Sequence, residues 1–232
     1  MAEEIRERLA RVRDRVARAA EGAGRSAEDI TLIAVSKTFD STTVQKAIDA
    51  GARELGENRV QEALAKVGRV HGDVRWHLIG HLQSNKARQT VETFDMIHTV
   101  DSSELAERLD RIAGELGRNP SVLVQVDLAH EATKSGAGET ELPSIIETLD
   151  SSSHLTFQGL MTLPPFFDSP ELTRPYFRRL REILEGLNRS RSYERRLTEL
   201  SMGMSHDFEV AIEEGATMVR VGTAIFGSRE NQ

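Results

Sequence analysis

The chain has 232 residues, a formal net charge of -7 and no cysteine. Its length is close to the roughly 250 residues of a typical α/β barrel, which favours one large domain. The lack of cysteine excludes disulfides and thiol chemistry, and the negative charge argues against nucleic-acid binding. No apolar run approaches the roughly 20 residues of a membrane span, and the charged N-terminus lacks a secretory apolar core, so we predict a cytoplasmic protein without membrane contact.

The chain opens with a predicted amphipathic helix over residues 1–22. Four apolar side chains recur there at steps of three and four among charged residues: Ile5, Leu9, Val12 and Val16. This spacing is typical of one buried helix face, and Gly22 ends the pattern. We expect the apolar face either to cover the rest of the domain or to meet a partner, in a monomer or weak dimer.

Short apolar runs then alternate with helical patterns along residues 30–227. The predicted strands are Ile30–Ser36, Glu54–Glu57, Arg75–Ile79, Met96–Val100, Val122–Asp127, Leu155–Met161, Leu200–Met204 and Met218–Val221. The helical stretches between them are Thr42–Ala50, Arg59–Val67, Lys86–Thr93, Ser103–Leu116, Leu142–Leu149, Leu172–Leu187 and Phe208–Glu214. Eight such units predict a single-domain (β/α)8 TIM-type barrel. An open doubly wound sheet is the alternative, although no G-x-G-x-x-G motif follows a predicted strand.

In a barrel of this kind the active face lies at the C-terminal ends of the strands. Lys37 directly follows the first apolar run, so its amine should emerge at that mouth. A lysine in a dry position of this kind is suited to attack a carbonyl carbon. From its position alone, Lys37 is equally well explained as a surface lysine that ends the strand.

The loops after the last two strands predict an anion site. Residues 201–205 and 220–223 combine glycines with hydroxyl side chains. In barrels these two loops often hold a phosphate, because glycine lets backbone N–H groups approach the anion. Ser205 has a second interpretation, as the cap of the helix that follows.

Three other patterns are interpreted as structural, with no catalytic or ligand-binding role. His77 and His81 are separated by a strand end and a turn, so a zinc site is not expected. Ser205, His206 and Asp207 are sequence neighbours and cannot line up as a catalytic triad. The arginines of residues 178–196 alternate with glutamates, which is typical of a solvated helix face.

Six motifs together resemble one known family. They are Ala34–Thr38, Gly56–Glu62, Trp76–Gly80, Leu82–Lys86, Ser201–Ser205 and Val219–Gly227. In this order they are similar to the signatures of the pyridoxal phosphate homeostasis protein family, the YggS/PROSC type. The resemblance extends from about Ile30 to Gly227 and implies a barrel like the N-terminal domain of alanine racemase.

The resemblance also implies the cofactor, pyridoxal 5'-phosphate, and the residues that bind it. Lys37 would form the internal aldimine, Asn58 would lie beside the cofactor, and Arg220 would face the pyridine nitrogen. The phosphate would be held by Ser201, Gly222 and Thr223, while Met204, Ser205 and His81 complete the expected binding set. Where many relatives have proline, this chain has Asp40, a departure that could loosen the loop after Lys37. No metal is implied.

An arginine partner leaves the pyridine nitrogen unprotonated, which makes the ring a weak electron sink. A racemase also needs a second acid/base opposite the lysine, and the chain has only two tyrosines, Tyr176 and Tyr193. We therefore predict a non-enzymatic protein that binds and buffers pyridoxal phosphate and delivers it to apo enzymes. The alternatives are a weak amino-acid racemase and a Schiff-base aldolase on a phosphosugar. Lys134 is a further candidate contact, or a solvated loop residue.

Overall fold

The computed structural model describes residues 2–129 and 135–227. Eight parallel strands close into one barrel in chain order, as the sequence predicts, and this closure excludes the open doubly wound sheet. The strands are Thr31–Val35 (β1), Glu54–Glu57 (β2), Arg75–Leu78 (β3), Met96–Val100 (β4), Ser121–Val126 (β5), Thr156–Thr162 (β6), Glu199–Met204 (β7) and Met218–Val221 (β8).

The helices lie outside the strands; α1 precedes β1, and the others follow strands along the chain. They are Ala2–Gly22 (α1), Ser41–Asp49 (α2), Val60–Val67 (α3), Ala87–Thr93 (α4), Ser103–Leu116 (α5), Leu142–Ser151 (α6), Arg174–Asn188 (α7), Phe208–Glu213 (α8) and Thr223–Phe226 (α9). Local sequence explains their ends. In α5 the Ser102 hydroxyl accepts from the Leu105 N–H at the start, and Gly117 ends the helix at φ 62°, a left-handed conformation that glycine adopts without strain.

The seam between β1 and β8 positions the two ends of the chain against each other. Ile33 pairs with Glu54 of β2 on one side and with Arg220 of β8 on the other. The loops that follow β1 and β8 therefore emerge side by side at the C-terminal mouth, because parallel strands end at the same edge.

Helix α1 covers the outside of this seam. It packs against α2, α8 and α9, and its buried face consists of the apolar residues expected from the sequence together with Ala20. Arg15 adds an ion pair to Glu209 of α8 at 2.6 Å. The apolar face of α1 thus packs on the rest of the domain, which is the first of the two expectations for it.

Two apolar clusters form the core. The larger lies between the strands and the helices, whereas the smaller lies inside the barrel and consists of Ile33, Met96, Leu123, Met161 and Met218. Five strands contribute to the inner cluster, which leaves a packed interior rather than a pore, as in other barrels of this type.

The arginines of α7 are held by acidic neighbours. Arg174, Arg178 and Arg181 all contact Glu214, so the predicted charged helix face instead fixes α7 to the end of α8. Over the part of the chain that is described, no helix is both long and apolar enough to cross a membrane.

Candidate functional site

Lys37 lies where the sequence predicts, directly after β1 at the barrel mouth, and it is half-buried. Within the described ranges, no side chain or carbonyl pairs with its amine. The next residue, Thr38, has φ 70°, a left-handed conformation that costs a non-glycine residue free energy and that persists only where the surroundings enforce it. The Thr38 N–H donates to Glu62 of α3 at 2.8 Å, which supplies one such constraint.

A buried ion pair fixes the residue on the other side of Lys37. The Lys66 ammonium lies 2.6 Å from the Glu57 carboxylate and donates to the Ser36 carbonyl at 2.8 Å. The Ser36 hydroxyl donates to the same carboxylate oxygen at 2.6 Å. Lys37 therefore lies between two backbone groups, the Ser36 carbonyl and the Thr38 N–H, each hydrogen-bonded to a charged side chain of α3.

The Glu57 carboxyl is fully buried, and burial raises its pKa above the ordinary value despite the hydrogen bonds from Lys66 and Ser36. Its second oxygen has no hydrogen-bond partner among the described residues. Sequence reasoning placed Glu57 in a motif without a role and did not single out Lys66. A charged residue inside an otherwise buried strand was the available signal for Glu57.

Arg220 of β8 extends into the barrel interior and is 3% exposed. It donates to the Ser201 hydroxyl at 2.6 Å and to the Thr162 carbonyl at 2.9 Å. Burial lowers the pKa of its guanidinium to about 10, opposed by the charge of Asp207, so Arg220 stays protonated at neutral pH. Its Nε–H has no acceptor in the described part of the chain.

Ser201 differs from the role that the resemblance implies for it. It is fully buried, and its hydroxyl lies 2.8 Å from His98 Nδ1 as well as accepting from Arg220. These contacts place the hydroxyl in the polar interior beside the arginine, which favours a role in holding Arg220 over direct contact with a phosphate.

The loops after β7 and β8 are joined to each other. The Gly222 N–H donates to the Ser205 hydroxyl at 3.2 Å, and the Met204 N–H donates to Asp207 at 2.7 Å. Gly203 has φ 90°, and a Cβ there would lie 2.6 Å from the Ala211 side chain. Only glycine allows β7 to turn this tightly above α8.

The second loop exposes backbone donors at the mouth. Thr223 is exposed and begins α9. Its N–H and that of Ala224 have no acceptor among residues 2–129 and 135–227. Glycine, hydroxyl and N–H groups thus meet where the sequence predicts an anion site. The alternative role of Ser205 as a helix cap is not found, since α8 has no side-chain cap.

Asn58 and His81 lie on the same rim. Gly80 packs so closely on Asn58 that a Cβ would come within 2.2 Å of the Asn58 carbonyl oxygen. The His81 ring is 55% exposed and lies 3.6 Å from Asp101. Burial raises the pKa of the Asp101 carboxyl, and the charge of His81 opposes that shift.

His77 and His81 do not form a metal site. His77 is fully buried, with Nε2 2.6 Å from Glu54 and Nδ1 2.9 Å from His98, whereas His81 lies at the surface. Sequence reasoning did not single out Glu54 and His98. A histidine in the middle of the buried strand β4 was the available signal for His98.

Two expectations about loops have different outcomes. Asp40 caps α2 by accepting from the Thr43 N–H at 2.7 Å, so this departure ties the loop to the helix instead of loosening it. Lys134 lies outside the described residues.

Known proteins share this architecture. The chain matches the family model of the alanine racemase N-terminal domain over residues 8–230. An alanine racemase of Clostridium difficile superposes with a TM-score of 0.74 at 18% identity and covers 99% of this chain and 58% of its own. At this identity the likeness shows a shared fold and no more.

Relatives of higher identity cover nearly the whole chain. A pyridoxal phosphate homeostasis protein of Aquifex aeolicus is 42% identical over 225 residues, which is 97% of this chain and 98% of that protein. The structure of PipY of Synechococcus elongatus with PLP bound has a TM-score of 0.85 at 44% identity and covers 96% of this chain and 100% of its own. By this identity and coverage, the chain belongs to the pyridoxal phosphate homeostasis protein family, built on a barrel of the alanine racemase N-terminal domain type.

Proposed function

We propose that this protein binds pyridoxal 5'-phosphate at the barrel mouth and holds it as a Schiff base on Lys37. One observation carries the proposal: a lysine without a partner among the described residues lies on a fixed backbone at the same mouth as a buried, protonated arginine. The Lys37 amine condenses with the aldehyde of the cofactor and one water is released. PLP bound to PipY, a relative of 44% identity, supports the same cofactor.

The residues present fit the cofactor at both of its ends. The Arg220 Nε–H, which lacks an acceptor in the described part of the chain, can donate to the pyridine nitrogen. The linked loops of residues 203–205 and 222–224 offer backbone N–H groups to the phosphate. Asn58 lies on the same rim. The binding roles of His81, Ser205, Gly222 and Thr223 stay predictions.

Once bound, the cofactor supplies an aldehyde and an electron-accepting ring, and Arg220 limits the second property. A guanidinium remains protonated and donates to the ring nitrogen without transferring its proton, so carbanions on the cofactor gain little stabilisation. We therefore propose holding, buffering and delivery to apo enzymes, with no substrate turnover. The curated relative is also named for homeostasis and not for a reaction. The cytoplasmic location stays a prediction as well.

An absorption spectrum tests the central assignment. Wild-type protein loaded with pyridoxal phosphate should show a visible band that borohydride removes, and Lys37→Ala should lack it. Lys86→Ala is the matched control, because this lysine also lies on the mouth side, after β3, and its variant should retain the band. A band that survives Lys37→Ala overturns the proposal. Protein that takes up no pyridoxal phosphate but reacts with a phosphosugar would favour the aldolase instead.

A weak racemase is a second candidate, favoured by one feature of the rim. The exposed His81 ring lies beside the partly buried Asp101 carboxyl on the mouth side of the barrel, and a histidine can act as an acid/base. The tyrosines do not offer this chemistry as readily: Tyr176 stacks on Phe167 outside the barrel, and Tyr193 follows α7 at the other end. Chiral chromatography after incubation with single-enantiomer amino acids decides between them. Turnover that His81→Asn abolishes would establish the racemase.

A further inference from the structure

A continuous chain of polar side chains crosses the inside of the barrel and ends on Arg220. It starts at Glu54 of β2, whose carboxylate lies 2.6 Å from His77 Nε2. His77 Nδ1 lies 2.9 Å from His98 Nε2, and His98 Nδ1 lies 2.8 Å from the Ser201 hydroxyl. Ser201 then accepts from Arg220 at 2.6 Å. Because His98 and Ser201 belong to β4 and β7, which are not neighbours, this step spans the interior.

Nearly all of this chain is shielded from water. His77, His98 and Ser201 are fully buried, and Arg220 is 3% exposed. Only the Glu54 side chain reaches solvent, at 21% exposure. Glu54 is the first residue of β2, so the chain starts toward the N-terminal ends of the strands. Buried polar groups without partners are costly, yet here each ring nitrogen has one.

The donor and the acceptor of each hydrogen bond between these polar side chains can be assigned, starting from the two ends. Burial holds the pKa of His98 well below its ordinary value, with further lowering from the charge of Arg220, so His98 is neutral. A neutral imidazole has one donor and one acceptor nitrogen. With Glu54 ionised and His77 also neutral, His77 donates to the carboxylate, His98 donates to His77, and the Ser201 hydroxyl donates to His98.

This order leaves the lone pairs of Ser201 for the guanidinium of Arg220. Burial raises the pKa of Glu54, but the hydrogen bond from His77 and the charge of Arg75 oppose it and the net pKa is lowered, which keeps the carboxylate ionised. A protonated Glu54 would reverse every donor and turn the Ser201 hydrogen away from His98. The acceptor oxygen of Glu54 thus sets the orientation of a hydroxyl three side chains away.

We propose that Glu54, His77 and His98 are positioning residues that order the Ser201 hydroxyl and, through it, aim Arg220 at the pyridine nitrogen of the cofactor. This inference rests on the proposed function, because it concerns the same arginine. The three residues do not contact the cofactor themselves. Through Arg220 they change the affinity for the cofactor and its electronic state.

Glu54→Leu tests the inference by removing the acceptor at the start of the chain. We expect the visible band of the loaded protein to shift in wavelength, and pyridoxal phosphate binding to weaken about tenfold, as for the loss of one hydrogen bond to a charged group. Glu54→Gln keeps an acceptor oxygen and should restore both properties. Glu199→Leu is the matched control. Glu199 also begins a strand, its carboxylate accepts only from Thr198 and Thr217 among the described residues, and it is not one of the polar side chains that lead to Arg220.

A double variant separates positioning from general damage. Ser201→Ala should shift the band as Glu54→Leu does, and Glu54→Leu should add nothing further in the Ser201→Ala background, because the connection is already broken. The inference would be overturned by additive band shifts in the double variant, or by a Glu54→Leu spectrum equal to that of Glu199→Leu. In either case a visible band that depends on Lys37 would still support the proposed function. Loss of that band's dependence on Lys37 would instead refute the function itself.

The cofactor-free wild-type protein gives an independent readout if Glu54→Leu does not fold. Nitrogen-15 NMR of the imidazole rings distinguishes the two tautomers of His98. An unprotonated Nδ1, facing Ser201, is the expected result. A protonated Nδ1 would mean that the donors run the other way and would contradict the inference.

Discussion

The buried pair of Lys66 and Glu57 offers the sharpest test of how the Lys37 segment is held. Lys66→Met keeps the apolar stem and removes the ammonium. The Glu57 carboxylate is then left at 0% exposure with Ser36 as its one remaining donor among the described residues. Removing one partner of a buried ion pair costs about 3–5 kcal/mol. Domains of this kind are stable by about 5–15 kcal/mol, so this single change should remove a large share of the folding free energy.

Urea unfolding followed by circular dichroism measures the loss. With a slope of about 3 kcal/mol per molar, the upper end for urea, the midpoint should fall by about 1–1.7 M. Arg111→Met is the control, because Arg111 forms an exposed pair with Glu115 and such pairs contribute about 0.3–0.5 kcal/mol.

The second variant tests the cause of that loss. Glu57→Gln combined with Lys66→Met leaves no unpaired charge, so the double variant should be more stable than Lys66→Met alone. Two results would contradict this reasoning. One is a free energy of unfolding for Lys66→Met within about 1 kcal/mol of the wild-type value, which is below the range for breaking buried pairs. The other is a double variant that is no more stable than Lys66→Met.

Two further predictions concern the interior and the rim. Because the folded pKa of His98 is depressed, its contribution to stability is present above about pH 6.5 and is lost as the pH falls, by at most ~1.4 kcal/mol per pH unit. Urea titrations at pH 7 and pH 5 should show this slope in the wild type and not in His98→Asn, in which His77, Glu54 and Arg220 remain; equal slopes would contradict it. Gly80→Ala should cost about 1–3 kcal/mol by overpacking against Asn58, measured by thermal unfolding, whereas Gly22→Ala, with open space around it, should cost none.

Periodicity and strand ends revealed most of the architecture. The short apolar run of β4 and the three- and four-residue spacing of α1 predicted those elements with nearly the observed bounds. The short helix α9 was missed, because four residues cannot display a helical period. Lys37 was identifiable because it follows an apolar, β-branched strand, where barrels place their chemistry. Arg220 lies near the end of the last strand, and its role was implied by the family resemblance.

The supporting residues could not be found in the same way. Lys66 lies in a helix whose pattern looks amphipathic and solvated, and only the packing of α3 brings its ammonium to Glu57. The link from His98 to Ser201 joins positions 103 residues apart, and their contact depends on the closure of the barrel. One sequence without strand order contains no information on such pairs. The expectation of Ser201 at the phosphate came instead from its loop after β7 and from the family resemblance.

The pairing of β1 with β8 has a consequence during synthesis. Lys37 leaves the ribosome well before Arg220 and Gly222, which follow it in the sequence, and Val35 meets Gly222 only when the seam closes. A nascent chain therefore carries its reactive amine before the pocket that would select a ligand for it exists. Any ligand bound across the seam favours the closed barrel, so occupancy would report that the seam has closed.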